Sequence, residues 1–194
     1  MNPKLLTGLI ILVAVVVITE SVVILNRLTP GQNITLLPAA TPTTVPSVTA
    51  DARFSLTAGS DTWTKGTSQT VTVALSANHS FSLDALDLYV KYDPSKVSVT
   101  KLNFPGTKPT LNKISPTQGL AIANYLITAT EGLKLTPGQS LSLMTLSVTP
   151  KVTGPVQFQI ATGQSTTGST TMIIENETSK ALSFDSPVLT VNVK

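Results

Sequence analysis

The chain contains no cysteine, which excludes disulfides, thiolate nucleophiles and cysteine-ligated zinc. Whatever folds here is held together by packing alone. Histidine is nearly absent too. His79 is the only one, and it lies in the polar stretch Ala77-Asn78-His79-Ser80, where it reads as a solvated loop residue. A single histidine rules out a His-pair zinc site and leaves a Ser-His-Asp triad without support. Charge is sparse, at 12% of residues, with a formal net of +3. The lysines are scattered singly, with no Arg-rich block or basic helix to track a phosphate backbone, so nucleic acid is not an expected partner. No glycine-rich phosphate loop occurs. Aromatic residues make up 5% of the chain, too few for a flat sugar-stacking platform. No convincing amphipathic helix is present.

What is present divides the 194 residues into three parts. Residues 1–28 read as a membrane anchor. Its apolar run, 5–25, would span about 31 Å as a helix, close to the roughly 30 Å hydrocarbon core of a bilayer. Lys4 precedes the run and only Arg27 follows, which places the N-terminus in the cytoplasm and the rest outside the cell membrane. Glu20 interrupts the run near its outer end, within reach of the headgroups. A cleaved signal peptide is the rival reading. It is disfavoured because Thr19-Glu20-Ser21 is a poor cleavage site and Pro38-Ala39-Ala40 lies too far downstream. Residues 29–51, rich in Pro and Thr, read as an extended linker that holds a domain off the membrane.

Residues 52–194 read as an all-β domain, a jelly-roll β-sandwich of about nine strands. Val71, Val73 and Leu75 share one face. Leu86, Leu88, Val90 and Tyr92 form the clearest strand, with Asp87, Tyr89 and Lys91 facing outward. Asp93-Pro94-Ser95 ends it as a turn. The stretch from Leu120 to Ile127 is apolar on both parities, which predicts a central strand covered on both sides. Leu141 and Leu143 occupy one parity, and Met144, Leu146 and Val148 the other. That switch predicts a β-bulge. Val156, Phe158 and Ile160 alternate again. Residues 172–174, 182–184 and 189–193 supply the last strands.

Candidates for chemistry are few. Asp84 with Asp87, and Glu175 with Glu177, are the carboxylate pairs a glycosidase would need, but they read as solvated charges, and the protein is not expected to be an enzyme. Asp84, Asp87 or Asp93 could ligate calcium, the one cofactor worth naming, although no calcium-loop spacing supports it. Trp63 lies in a loop after Gly59-Ser60-Asp61-Thr62. It either folds over the core edge or, with Tyr89, offers an exposed ring to a sugar. Sequons occur at Asn33, Asn78 and Asn176.

Three stretches resemble the cohesin family. They are Leu86 to Val97, with its alternating strand and Tyr-Asp-Pro turn; Pro137 to Val148, a strand that begins after a glycine; and Val152-Thr153-Gly154, before a Val-x-Phe-x-Ile strand. The resemblance runs over about 54–193 and rests on core and turn residues, so it speaks to fold before partner. Cellulose-binding modules share the same sandwich. The resemblance implies a module that recruits a dockerin-type protein at the cell surface, in the setting of polysaccharide degradation, through one face of the sandwich. Asp87, Tyr89 and Lys91 are its candidate residues, with Trp63 a candidate for direct binding of polysaccharide. A structural envelope protein is the remaining alternative.

Overall fold

A computed structural model of the chain describes residues 49–163 and 169–194. The expected membrane helix at 5–25 and nearly all of the linker lie outside the described residues. Among the described residues there is no helix. Fourteen strands occur in chain order: β1 Ala52–Ala58, β2 Thr62–Trp63, β3 Gln69–Ala77, β4 Phe81–Tyr92, β5 Val97–Asn103, β6 Leu111–Ser115, β7 Leu120–Leu126, β8 Leu133–Leu135, β9 Ser140–Pro150, β10 Gly154–Ile160, β11 Met172–Glu175, β12 Ala181–Leu182, β13 Phe184–Asp185 and β14 Leu189–Val193. Nine have five or more residues; β1 and β6 among them were not expected from the alternation, while the expected segments at 172–174 and 182–184 form only the short β11, β12 and β13.

The strands form two sheets. The first has the order β13-β1-β3-β9-β5. The second is organised around β4. One edge of β4 pairs with β11 and then β10; its other edge pairs with β8 and then β7, and β6 adds beyond β7. β10 continues to β14 and β2. Apolar residues at period two place one face of each sheet against the other. Phe54, Val71, Val73, Leu75, Leu146 and Val148 from the first sheet share one core with Leu86, Leu88, Val90, Ala121, Ala123, Phe158 and Ile160 from the second. Each large aliphatic side chain so buried contributes about 1.5–3 kcal/mol of transfer free energy.

The bulge in β9 forms where the parity switches. Val73 pairs with Met144 and Ala74 with Ser142, which leaves Leu143 as the extra residue. Leu143 and Met144 are therefore both buried. Tyr125 of β7 donates its hydroxyl to the Leu143 carbonyl at 2.7 Å, so a bond from the second sheet satisfies the bulged residue of the first. β4 has a comparable irregularity. Its register against β11 shifts between Ile174 and Glu175. The inward set accordingly changes from Phe81 and Leu83 to Leu86, Leu88, Val90 and Tyr92.

Two expectations fail. β7 is central in pairing, since it lies between β4 and β6, but it is covered on one side only. Ala121, Ala123 and Tyr125 point inward, while Ile122 is half-buried and Leu126 is 60% exposed. The strand presents Ala121, Ala123 and Tyr125 to the core beside the leucines of β4, while Ile122 and Leu126 face out. The second is the loop placement of Trp63. It is not an exposed loop ring but a fully buried one on β2, packed edge-on against Phe158 with centroids 5.9 Å apart. Of the two readings of Trp63, the structure supports the ring folded over the core edge and removes the exposed sugar-binding one.

Candidate docking face on the outer surface of the second sheet

Asp87, Tyr89 and Lys91 alternate with the buried leucines of β4, so all three point away from the core. Cross-strand register then identifies their neighbours. Leu111, Asn124, Asp87 and Met172 form one row across β6, β7, β4 and β11. At a strand spacing of roughly 4.8 Å, that row is about 14 Å wide. Lys113, Ile122 and Tyr89 form the row below it, and Leu126, Ala85 and Ile174 the row above.

The face is unusually apolar for an outer surface. Leu126 is 60% exposed, Leu111 58% and Met172 44%. These are three of the five large exposed hydrophobic side chains among the described residues. Single exposed aliphatics need no explanation, but three on two adjacent cross-strand rows, with Ile122 and Tyr89 on the row below, form a patch of the kind that marks an interaction surface. Aromatic and aliphatic anchors within a polar rim are what protein interfaces use.

The polar members are arranged as well. Asn124 donates its side-chain amide to Asp87 Oδ1, fixing both groups on the face. The carboxamide oxygen of Asn124 is buried and has no partner among the described residues. Thr171 Oγ1 accepts from the Tyr89 N–H at 3.0 Å, pinning the backbone where β10 gives way to β11. Lys91 is exposed at the lower end.

The remaining sequence candidates lie apart. Asp84 accepts from Asn176 at 3.3 Å, and Asp93 accepts from the backbone and hydroxyl of Ser95 at 2.9 and 2.6 Å. Glu175 accepts from the Thr178 hydroxyl at 2.7 Å. Among the described residues no three acidic or histidine side chains converge on a point, so the structure does not bring the proposed calcium ligands together. His79 is more than a solvated loop residue. Its Nε2 lies 2.7 Å from Asp51 Oδ1, and the other carboxylate oxygen of Asp51 accepts from the backbone and hydroxyl of Ser183, both at 2.8 Å. This clasp closes the domain where β1 begins. It holds the Asp51 carboxyl down at about 2 and the His79 ring above its ordinary value, in each case chiefly through their mutual hydrogen bond.

Leu111, Leu126 and Met172 escaped the sequence reading. Met172 and Leu126 were assigned to strands, but an apolar residue in a strand is taken as core unless its partner strand is known. Leu111 begins a strand, Leu-Asn-Lys-Ile-Ser, too polar to announce itself.

No family profile matches the sequence, and no curated protein does. Solved structures do match. A cohesin module from a Clostridium perfringens family 33 glycoside hydrolase superposes with a TM-score of 0.58 at 10% identity, covering 75% of this chain and 98% of that one. The sixth cohesin of Acetivibrio cellulolyticus scaffoldin B, solved with a Cel5 dockerin, gives 0.54 at 16% identity, covering 73% and 99%. A cohesin–dockerin complex from Clostridium thermocellum gives 0.53 at 12% identity, covering 73% and 99%. The β domain of this chain therefore has the fold of a cohesin module.

Proposed function

We propose that this chain is a non-catalytic binding module that recruits a dockerin-type protein through the outer face of its second sheet. In this reading the N-terminal segment anchors it in the cell membrane with the β domain outside, where it serves as a docking post in polysaccharide degradation. The observation that carries the proposal is the set of exposed aliphatics Leu111, Leu126 and Met172 flanking the Asp87–Asn124 pair, with Tyr89 on the next row. Structural neighbours solved in complexes with dockerins favour this class of partner. Such a patch stabilises a complex by burial, and the paired carboxylate and carboxamide supply direction.

The test uses the full chain and a panel of purified dockerin modules, with affinity measured by calorimetry. At least one dockerin should bind. Leu126→Asp places a charge on the upper row of the contact, and Tyr89→Ala removes its one aromatic anchor. Each should weaken binding at least tenfold, which corresponds to about 1.4 kcal/mol. No binding to any dockerin, or binding indifferent to both substitutions, would remove the proposal. Protease protection of the N-terminus in intact cells, with cleavage of the β domain, is the matching check on anchoring.

A further inference from the structure

Below the aliphatic rows, the second sheet carries a separate feature. A cleft of about 380 Å³ opens between the ends of β4 and β10 and the turns after β4 and β6. Its size falls at the small end of ordinary ligand clefts, roughly 300–1,000 Å³. Its polar walls are Lys91, Asp93, Thr117, Gln118, Gln157 and Gln159. Gln157 and Gln159 project from one face of β10, and Gln159 stands opposite Lys91 in register.

The cleft is built rather than incidental. Gly119, at φ 63°, brings the turn after β6 down onto Tyr92, whose N–H donates to the Gly119 carbonyl at 2.8 Å. A Cβ at Gly119 would lie 2.2 Å from the Tyr92 oxygen and 2.9 Å from Pro94 Cδ, so no other residue closes this floor. Gln118 is held by the Ser115 hydroxyl, which donates to its Oε1 at 2.8 Å and leaves its two N–H donors. Ser95 engages one oxygen of Asp93 and keeps the carboxyl ionised below its ordinary range; the other oxygen remains an acceptor.

The chemistry of this lining selects a class of ligand. Lys91 and Asp93 cancel in charge, so a phosphate or polyanion would find one cation beside one carboxylate. Gln157 and Gln159 supply donors and acceptors in pairs and Gln118 adds donors, which is what adjacent hydroxyl groups require. Pro94 and Tyr92 add apolar wall for the C–H edge of a ring. We propose that this cleft binds a neutral saccharide of one or two rings, independently of the protein-docking face above it.

Saturation-transfer NMR on the full chain tests this, in a detergent without a sugar headgroup. The probes are cellobiose, xylobiose, maltose and diacetylchitobiose, each at millimolar concentration. At least one should receive transfer, and the Gln157→Met, Gln159→Met double variant should weaken it at least tenfold, with Thr117→Val weakening it less. Trp63 emission reports that each variant is folded. Dockerin binding should be unchanged in the double variant, which separates failure here from failure of the docking reading. No transfer to any of the four sugars, or transfer that survives the double substitution, overturns the proposal.

Discussion

Two buried tyrosines in different hydrogen-bonding states allow a paired test of how the sandwich is held together. The Tyr125 hydroxyl crosses between the sheets to the carbonyl of the bulged Leu143 at 2.7 Å. The Tyr92 hydroxyl is also buried but has no partner among the described residues. Substituting each by Phe removes one oxygen and leaves the ring. At Tyr125 the substitution strands a buried carbonyl, at a cost of about 1–3 kcal/mol. At Tyr92 it removes a polar group that was desolvated without compensation, so the change should be neutral or slightly stabilising. Urea unfolding is the assay, followed by the emission of Trp63, the only tryptophan and a fully buried one. With a urea slope of about 2 kcal/mol per molar, Tyr125→Phe should lower the midpoint by roughly 0.5–1.5 M. Tyr92→Phe should leave it in place or raise it. Equal losses in the two variants would refute the reasoning, because ring packing and not the hydrogen bond would then carry the effect.

Three further outcomes follow from the same geometry. Gly119→Ala should destabilise the domain by about 2 kcal/mol or more, since the new Cβ would meet the Tyr92 carbonyl at 2.2 Å in a left-handed backbone; calorimetric melting checks it. The clasp of Asp51 and His79 should act within a pH window. The depressed Asp51 contributes above the ordinary carboxylate range and loses its share as pH falls toward 2, while the raised His79 contributes fully below 6.5 and loses its share as pH rises past its own elevated value. The stability difference between the native chain and His79→Gln should therefore peak near pH 5, stay below about 1 kcal/mol because the His79 side chain is 52% exposed, and shrink by pH 8; Glu175, which also favours the charged ring, does not reverse this sign. Finally, the amide groups of Asn78 and Asn176 are engaged, with the Ala50 carbonyl at 2.7 Å and Asp84 at 3.3 Å. Neither sequon should be glycosylated in the folded domain, and mass spectrometry after expression in a glycosylating host reads this directly.

Strands that bury one face against a greasy partner were readable residue by residue. The inward sets of β3, β4 and β10 followed period two, and even the β9 bulge was legible, because a parity switch within an apolar run has few other causes. β4 carries the same signal, Phe81 and Leu83 on one parity and Leu86 onward on the other, and there it went unread. What stayed hidden depended on partners distant in sequence. Ile122 and Leu126 are as apolar as any core residue; only the neighbours across the sheet reveal that they face out. Trp63 sits among turn residues, and its burial is decided by β14 and Phe158, roughly a hundred residues on. The clasp of Asp51, His79 and Ser183 likewise joins three segments that no spacing rule connects. Asp87, Tyr89 and Lys91 were legible as outward residues, but the aliphatic ground around them was not.

The central claim is that the outer face of the second sheet is where a protein partner docks. Amide hydrogen exchange on the full chain, with and without a bound dockerin, tests it most directly. The account predicts slowed exchange along β4, β6 and β7 and in the neighbouring β11, with β1, β3 and β5 unchanged. Protection centred on the β1–β3 side of the sandwich, with β6 and β7 unaffected, would contradict it.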